Sequence, residues 1–112
     1  MKVLLVNPGE YPEVKEIEPG LQSMQELVGG LIQAVYPFED SVALICNEEG
    51  KLNGMKLNRA LREPETGQVY DIVAGPFFIC GLGEEDFTSL TEEQIQRYEE
   101  VFHYPEVFIS AR

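Results

Sequence analysis

The chain is predicted to be a single compact α+β domain, with a mostly antiparallel sheet of about five to seven short strands packed with two or three helices. Three observations carry that prediction. At 112 residues, 44% of them apolar and 25% charged, the chain can close one hydrophobic core without disulfides or metals. Short apolar runs alternate with turn residues at close spacing, which favours adjacent antiparallel strands. Two segments, Gly20 to Val28 and the stretch after Thr91, carry apolar residues at helical spacing instead.

Lys2 to Val6 is an apolar run that stops at the turn signal Asn7-Pro8-Gly9. Val14 to Glu18 is expected to be an edge strand folding back on it before Pro19-Gly20. Leu21, Met24, Leu27 and Val28 then line one face of a short helix, and Gly29-Gly30 supplies its stop. Leu31 to Phe38 and Ser41 to Asn47 read as a hairpin around Glu39-Asp40. Its second strand is apolar from Val42 to Cys46, as expected of a central strand covered on both faces. In Lys51 to Arg62, Asn53-Gly54 marks a turn and Leu57 to Leu61 is read as one or two helical turns.

Val69 to Ala74 and Pro76 to Gly81 form a second pair of apolar runs. Pro76 has no N–H to give to a ladder, so Gly75-Pro76 is predicted to be a bend or bulge. Gly81 to Asp86 reads as exposed loop. The last helix has the clearest local signature. Thr91 and Gln94 match a capping box, Leu90 and Ile95 a hydrophobic staple, and Glu92 and Glu93 occupy the first turn. Ile95, Tyr98 and Phe102 form its apolar face. Pro105 ends it, and Val107 to Ile109 is read as a final edge strand.

Charge is distributed unevenly. Lys51, Lys56, Arg59 and Arg62 fall within twelve residues that contain no acid, so the net charge of −12 divides into +4 there and −16 elsewhere. The overall acidity argues against a nonspecific nucleic-acid or membrane-surface binder, because both partners are polyanions. Cys46 and Cys80 have no metal-ligand spacing and sit in apolar runs, so they are predicted to be buried thiols. Met1 to Glu10 holds no apolar run long enough for a signal peptide or membrane helix, and a cytoplasmic location is expected.

Leu21-Gln22, Leu27-Val28-Gly29-Gly30, Asn47-Glu48-Glu49-Gly50-Lys51-Leu52 with Gly54, Asn58 and Arg59, and Asp71-Ile72-Val73-Ala74-Gly75 follow one another in that order. In this the chain resembles the uncharacterised family known as domain of unknown function 3846, over about Lys2 to Phe87. The resemblance implies a small cytoplasmic domain encoded by bacteria, phages or conjugative elements. It implies no reaction and no ligand, and it directs interest to the segments Leu27–Gly30 and Asn47–Arg59. A mobile-element setting also suggests an accessory role such as countering host defence.

The candidate ligand-binding residues are Lys51, Asn53, Lys56, Asn58, Arg59 and Arg62. Arginine offers a planar fork for phosphate or carboxylate, the asparagines add amide donors and acceptors, and Gly54 permits close backbone approach. The competing reading is that these cations pair with Glu48, Glu49 and Glu63. No catalytic or metal constellation is expected. His103 is the only histidine and reads as a helix C-terminal cap, and Glu39/Asp40, Glu48/Glu49 and Glu84/Glu85/Asp86 all fall in predicted loops. Aromatic rings beside proline in Tyr36-Pro37-Phe38 and His103-Tyr104-Pro105 are either core residues at element ends or interface residues, which leaves a homo-oligomer open. The expectation is a non-catalytic accessory protein without cofactor that binds a protein partner or a small anionic, nucleotide-like ligand. The alternatives are an acidic DNA mimic that inhibits a DNA-binding enzyme and, last, a small enzyme.

Overall fold

A computed structural model describes residues 1–109. In chain order the elements are β1 (Lys2–Val6), β2 (Glu13–Glu16), α1 (Leu21–Val28), β3 (Ile32–Val35), β4 (Val42–Asn47), β5 (Leu57–Arg62), β6 (Val69–Ala74), β7 (Phe77–Leu82), β8 (Phe87–Thr88) and α2 (Glu92–Val101). The predicted α+β class holds, with all strand pairings antiparallel. Six strands form the main sheet, in the order β2-β1-β7-β4-β3 with β8 added along the end of β7. The β5-β6 hairpin forms a separate two-stranded sheet.

Alternation along the central strands builds two cores. Leu4, Val6, Val42, Leu44, Cys46, Phe77 and Ile79 face one side, where Ile95, Tyr98 and Phe102 of the α2 end and Leu61 and Val73 of the hairpin cover them. Val3, Leu5, Ala43, Ile45, Phe78 and Cys80 face the other side, beneath Met24 and Val28 of α1. Every residue of β4 is buried, as expected of a strand hydrogen-bonded on both edges and covered on both faces. Both cysteines are free and buried, and burial pushes the Cys80 thiol up to about 12.

The local helix signals hold. Gly29 caps α1 in the left-handed conformation with its N–H on the Gln25 carbonyl at 2.8 Å. At α2, Gln94 N–H donates to Thr91 Oγ1 at 3.1 Å and Thr91 N–H donates to Gln94 Oε1 at 3.0 Å, completing the capping box.

Two expectations are corrected and a third holds. Leu57 to Leu61 lies in a strand, not in helical turns, and a register shift between Leu57 and Arg59 turns Asn58 inward. That bulge breaks the alternation by which a strand is recognised. The predicted bend at Gly75-Pro76 holds: the two apolar runs are separate strands, and here the chain crosses from the hairpin into the main sheet. Val107 to Ile109 forms no strand. Val107 and Ile109 stand 87% and 88% exposed. The segment before them is held by the Glu106 side chain rather than by a backbone ladder.

Candidate functional site

The segment rich in cations begins in the loop between β4 and β5. Asn47 organises it: its Oδ1 accepts the Glu49 N–H at 2.8 Å, and its Nδ2 donates to the Val28 carbonyl at 3.2 Å. Asn53 N–H bonds the Glu49 carbonyl at 2.8 Å, and its side chain is exposed. Lys51 Nζ reaches Asp71 Oδ1 on β6 at 2.6 Å across the mouth of a cleft of about 150 Å³, whose walls include Gln33, Cys46 and Val73. The lysine contact and the Ile72 N–H together hold the Asp71 carboxyl below its ordinary value, against the opposing effect of burial.

Asn58 and Arg59 point inward, at 0% and 1% exposure. Asn58 Nδ2 donates to two carbonyls at 2.9 Å, those of Val6 at the end of β1 and of Gly75 before β7. The Arg59 guanidinium donates through Nε to Phe102 O at 3.1 Å, through Nη2 to Glu10 O at 2.6 Å, and through Nη1 to Asn58 Oδ1 at 2.9 Å. Phe102 is the C-cap of α2, so this cation meets a carbonyl at the helix end, at the negative end of its dipole. One arginine thus ties the β1–β2 turn, β5 and the end of α2 together. Desolvation lowers its proton affinity and the charge of Glu106 raises it.

The remaining two cations separate. Arg62 pairs with Glu106 at 3.1 Å, and the second oxygen of Glu106 accepts the Ala60 N–H at 2.9 Å. Lys56 makes no ion pair among the described residues. It lines a cleft of about 450 Å³ with Gly9, Leu57, Pro105, Glu106, Val107 and Phe108. The six sequence-predicted residues therefore do not converge. Lys51 borders the first cleft, Asn53 is exposed in the loop beside it in sequence, Asn58 and Arg59 lie in the interior, Arg62 is held by Glu106, and Lys56 lines the second cleft. Neither of the acids that engage Lys51 and Arg62, Asp71 and Glu106, is among the three expected to do so. Glu106 lies far from its partners in the sequence, and nothing local announces it.

A different surface gathers at the end of α2. The Tyr11 ring stacks on His103 with centroids 4.9 Å apart and planes at 28°, and Tyr104 meets His103 edge-on at 4.6 Å. Tyr11 and Tyr104 remain 63% and 75% exposed. His103 N–H donates to the Glu100 carbonyl at 3.4 Å, so the backbone of this residue does help close the helix. The other aromatic-proline segment splits: Phe38 packs on Tyr98 at 4.8 Å, whereas Tyr36 faces out.

The family described as Domain of unknown function (DUF3846) matches residues 1–103. The chain belongs to the DUF3846 family. The match runs past Phe87 and takes in α2 as far as His103. No curated protein and no solved structure matches the chain. Within this DUF3846 domain, three of the four segments that carry the resemblance, Leu27–Gly30, Asn47–Arg59 and Asp71–Gly75, meet around one loop. Asn47 bonds Val28, Glu48 N–H bonds the Leu31 carbonyl, Lys51 pairs with Asp71, and Gly75 N–H bonds the Lys56 carbonyl. A Cβ at Gly50 would lie 2.7 Å from the Ala74 carbonyl oxygen. At Gly75, where φ is +81°, a Cβ would lie 2.6 Å from Met55 Sδ. Packing accounts for these glycines and for Asn58 and Arg59, and no ligand is needed to explain them. No helix among the described residues is long and apolar enough to cross a membrane.

Proposed function

We propose that this DUF3846 domain is a non-catalytic accessory protein, encoded by a bacterium or mobile element, that acts by binding another protein. The inward course of Arg59 carries this reading. The best anion donor of the sequence is committed to three segments of its own chain, which leaves the outer surface as the place for recognition. That surface is acidic: among the described residues five of the twenty carboxylates are ion-paired with a cation. Glu48, Glu49 and the Glu84-Glu85-Asp86 run are exposed and form no ion pair among the described residues.

The test is size-exclusion of the labelled protein in bacterial lysate at about 50 mM and about 500 mM salt. A complex larger than the 12.6 kDa chain, weakened at the higher salt, is the expected result. Elution as the free chain at both salts would overturn the reading. Duplex DNA as competitor separates two kinds of partner. Displacement by DNA would make the chain a mimic that occupies a DNA-binding groove.

One observation favours a second reading. Lys56, which makes no ion pair among the described residues, stands at a cleft with an apolar wall, an arrangement suited to a small carboxylate or phosphate with an apolar body. A rise in unfolding temperature with such anions, lost in Lys56→Ala, would support it.

A further inference from the structure

We infer that Tyr11, His103 and Tyr104, together with Glu99 and Glu100, form a docking surface for an arginine- or lysine-bearing segment of the partner protein. This rests on the protein-binding reading above and assigns its surface and the chemistry of its partner.

Position gives the first argument. Gln96, Glu99 and Glu100 of α2, with His103 just past its end, recur at helical spacing beside its buried stripe of Ile95, Tyr98 and Phe102. Together with Tyr104 they line a shallow depression at the helix end. From Gln96 to His103 the axis rises about 10 Å, the length of roughly three extended residues of a bound segment.

The rings give the second argument. Three aromatic rings from two distant parts of the chain are held in mutual contact and yet stay in water. Stacking holds the rings in place, and much of Tyr11 and Tyr104 stays open to a ligand. A ring face carries partial negative charge and attracts a guanidinium or ammonium within about 6 Å of its centre. Carboxylates beside the rings complete a site for the same cation, because they accept the guanidinium N–H groups in pairs.

Charge gives the third. Among the described residues no lysine or arginine lines this depression, and the chain as a whole carries a net charge of −12. A basic segment is steered toward it and an acidic one is repelled.

The probe is a labelled peptide of about eight residues alternating arginine and glycine, followed by fluorescence anisotropy and by amide chemical shifts. Binding is expected to move the amides of Tyr11, Glu99, Glu100, His103 and Tyr104. The variant Tyr11→Ala/Tyr104→Ala keeps the net charge and is expected to weaken the peptide about tenfold. Glu92→Gln/Glu93→Gln, at the other end of α2, removes two charges and is expected to weaken it less. Both side-chain pairs are exposed, and unchanged unfolding temperatures would show that the variants fold. Equal affinity in the tyrosine variant, or a larger loss in the Glu92/Glu93 variant, would reduce the binding to diffuse charge attraction and overturn the inference. The lysate experiment separates the two levels. A complex that survives Tyr11→Ala/Tyr104→Ala refutes this surface and leaves the protein-binding reading standing, whereas no complex with the unaltered chain refutes that reading itself.

Discussion

Arg59 is a charged residue whose hydrogen-bond partners are all uncharged. Burying a guanidinium is unfavourable unless its N–H groups are met, and here they are met by carbonyls that would themselves be left open without it. Arg59→Met keeps much of the volume and strands the Phe102 and Glu10 carbonyls, so a loss of about 3 kcal/mol is expected in urea unfolding. Arg59→Lys should recover little of it, because an ammonium carries its three donors on one nitrogen and cannot span the separate acceptors met by Nε, Nη1 and Nη2. Asn58→Ala is expected to cost about 2 kcal/mol by freeing the Val6 and Gly75 carbonyls. A loss below about 0.5 kcal/mol in both Arg59→Met and Asn58→Ala, as for an ordinary surface substitution, would contradict the structural role assigned to the pair.

Among elements, the β3–β4 turn is latched to α2 through one carboxylate. Asp40 accepts Tyr98 Oη–H at 2.7 Å, the Ser41 N–H at 2.7 Å, Gln94 Nε2–H at 3.3 Å and an N–H of Arg97. The Tyr98 hydrogen bond is the chief reason that its carboxyl sits below the ordinary value of 3.8, and burial works in the opposite sense. A depressed carboxyl stabilises the fold fully above the unfolded value and loses that contribution as pH falls through the lower folded one. The wild type should therefore lose stability on acidification below about pH 4 more steeply than Asp40→Asn, as read from unfolding midpoints between about pH 6 and 2. Parallel curves would show that the latch carries no linkage. Elements with local signatures were the readable ones: the capping box starts α2, Gly29 stops α1, and the β3-β4 hairpin closes over a short turn. In β5 the polar Asn58 and Arg59 are buried alongside Ala60 and Leu61 while Leu57 is exposed, so its periodicity pointed to no strand.

At the scale of the molecule, a net charge of −12 sits on two thin cores sharing one sheet. Few of the carboxylates are paired, so mutual repulsion opposes the compact state and added salt should relieve it. Raising sodium chloride from about 20 to about 300 mM is expected to stabilise the fold by on the order of 1 kcal/mol, a rise of about 4 °C in the unfolding midpoint. A fall in the midpoint would mean that the five ion pairs outweigh the repulsion. The acidity that salt screens here is also what would draw a basic partner to the α2 end.

The amino-acid sequence by itself determined the α+β class, the doubly covered β4, both helices with their caps, the buried thiols and membership of a family without an assigned reaction. Each of these rests on spacing within a few residues or on the order of segments along the chain. Only the tertiary structure decided that the β5-β6 hairpin leaves the main sheet, that Asn58 and Arg59 turn inward, and that Tyr11 meets His103. An arginine written between Asn58 and Ala60 carries no mark of whether it faces water or the interior. That depends on the carbonyls brought to it by Glu10 and Phe102, from segments on either side of it that are far away in the chain and meet only when the chain has folded.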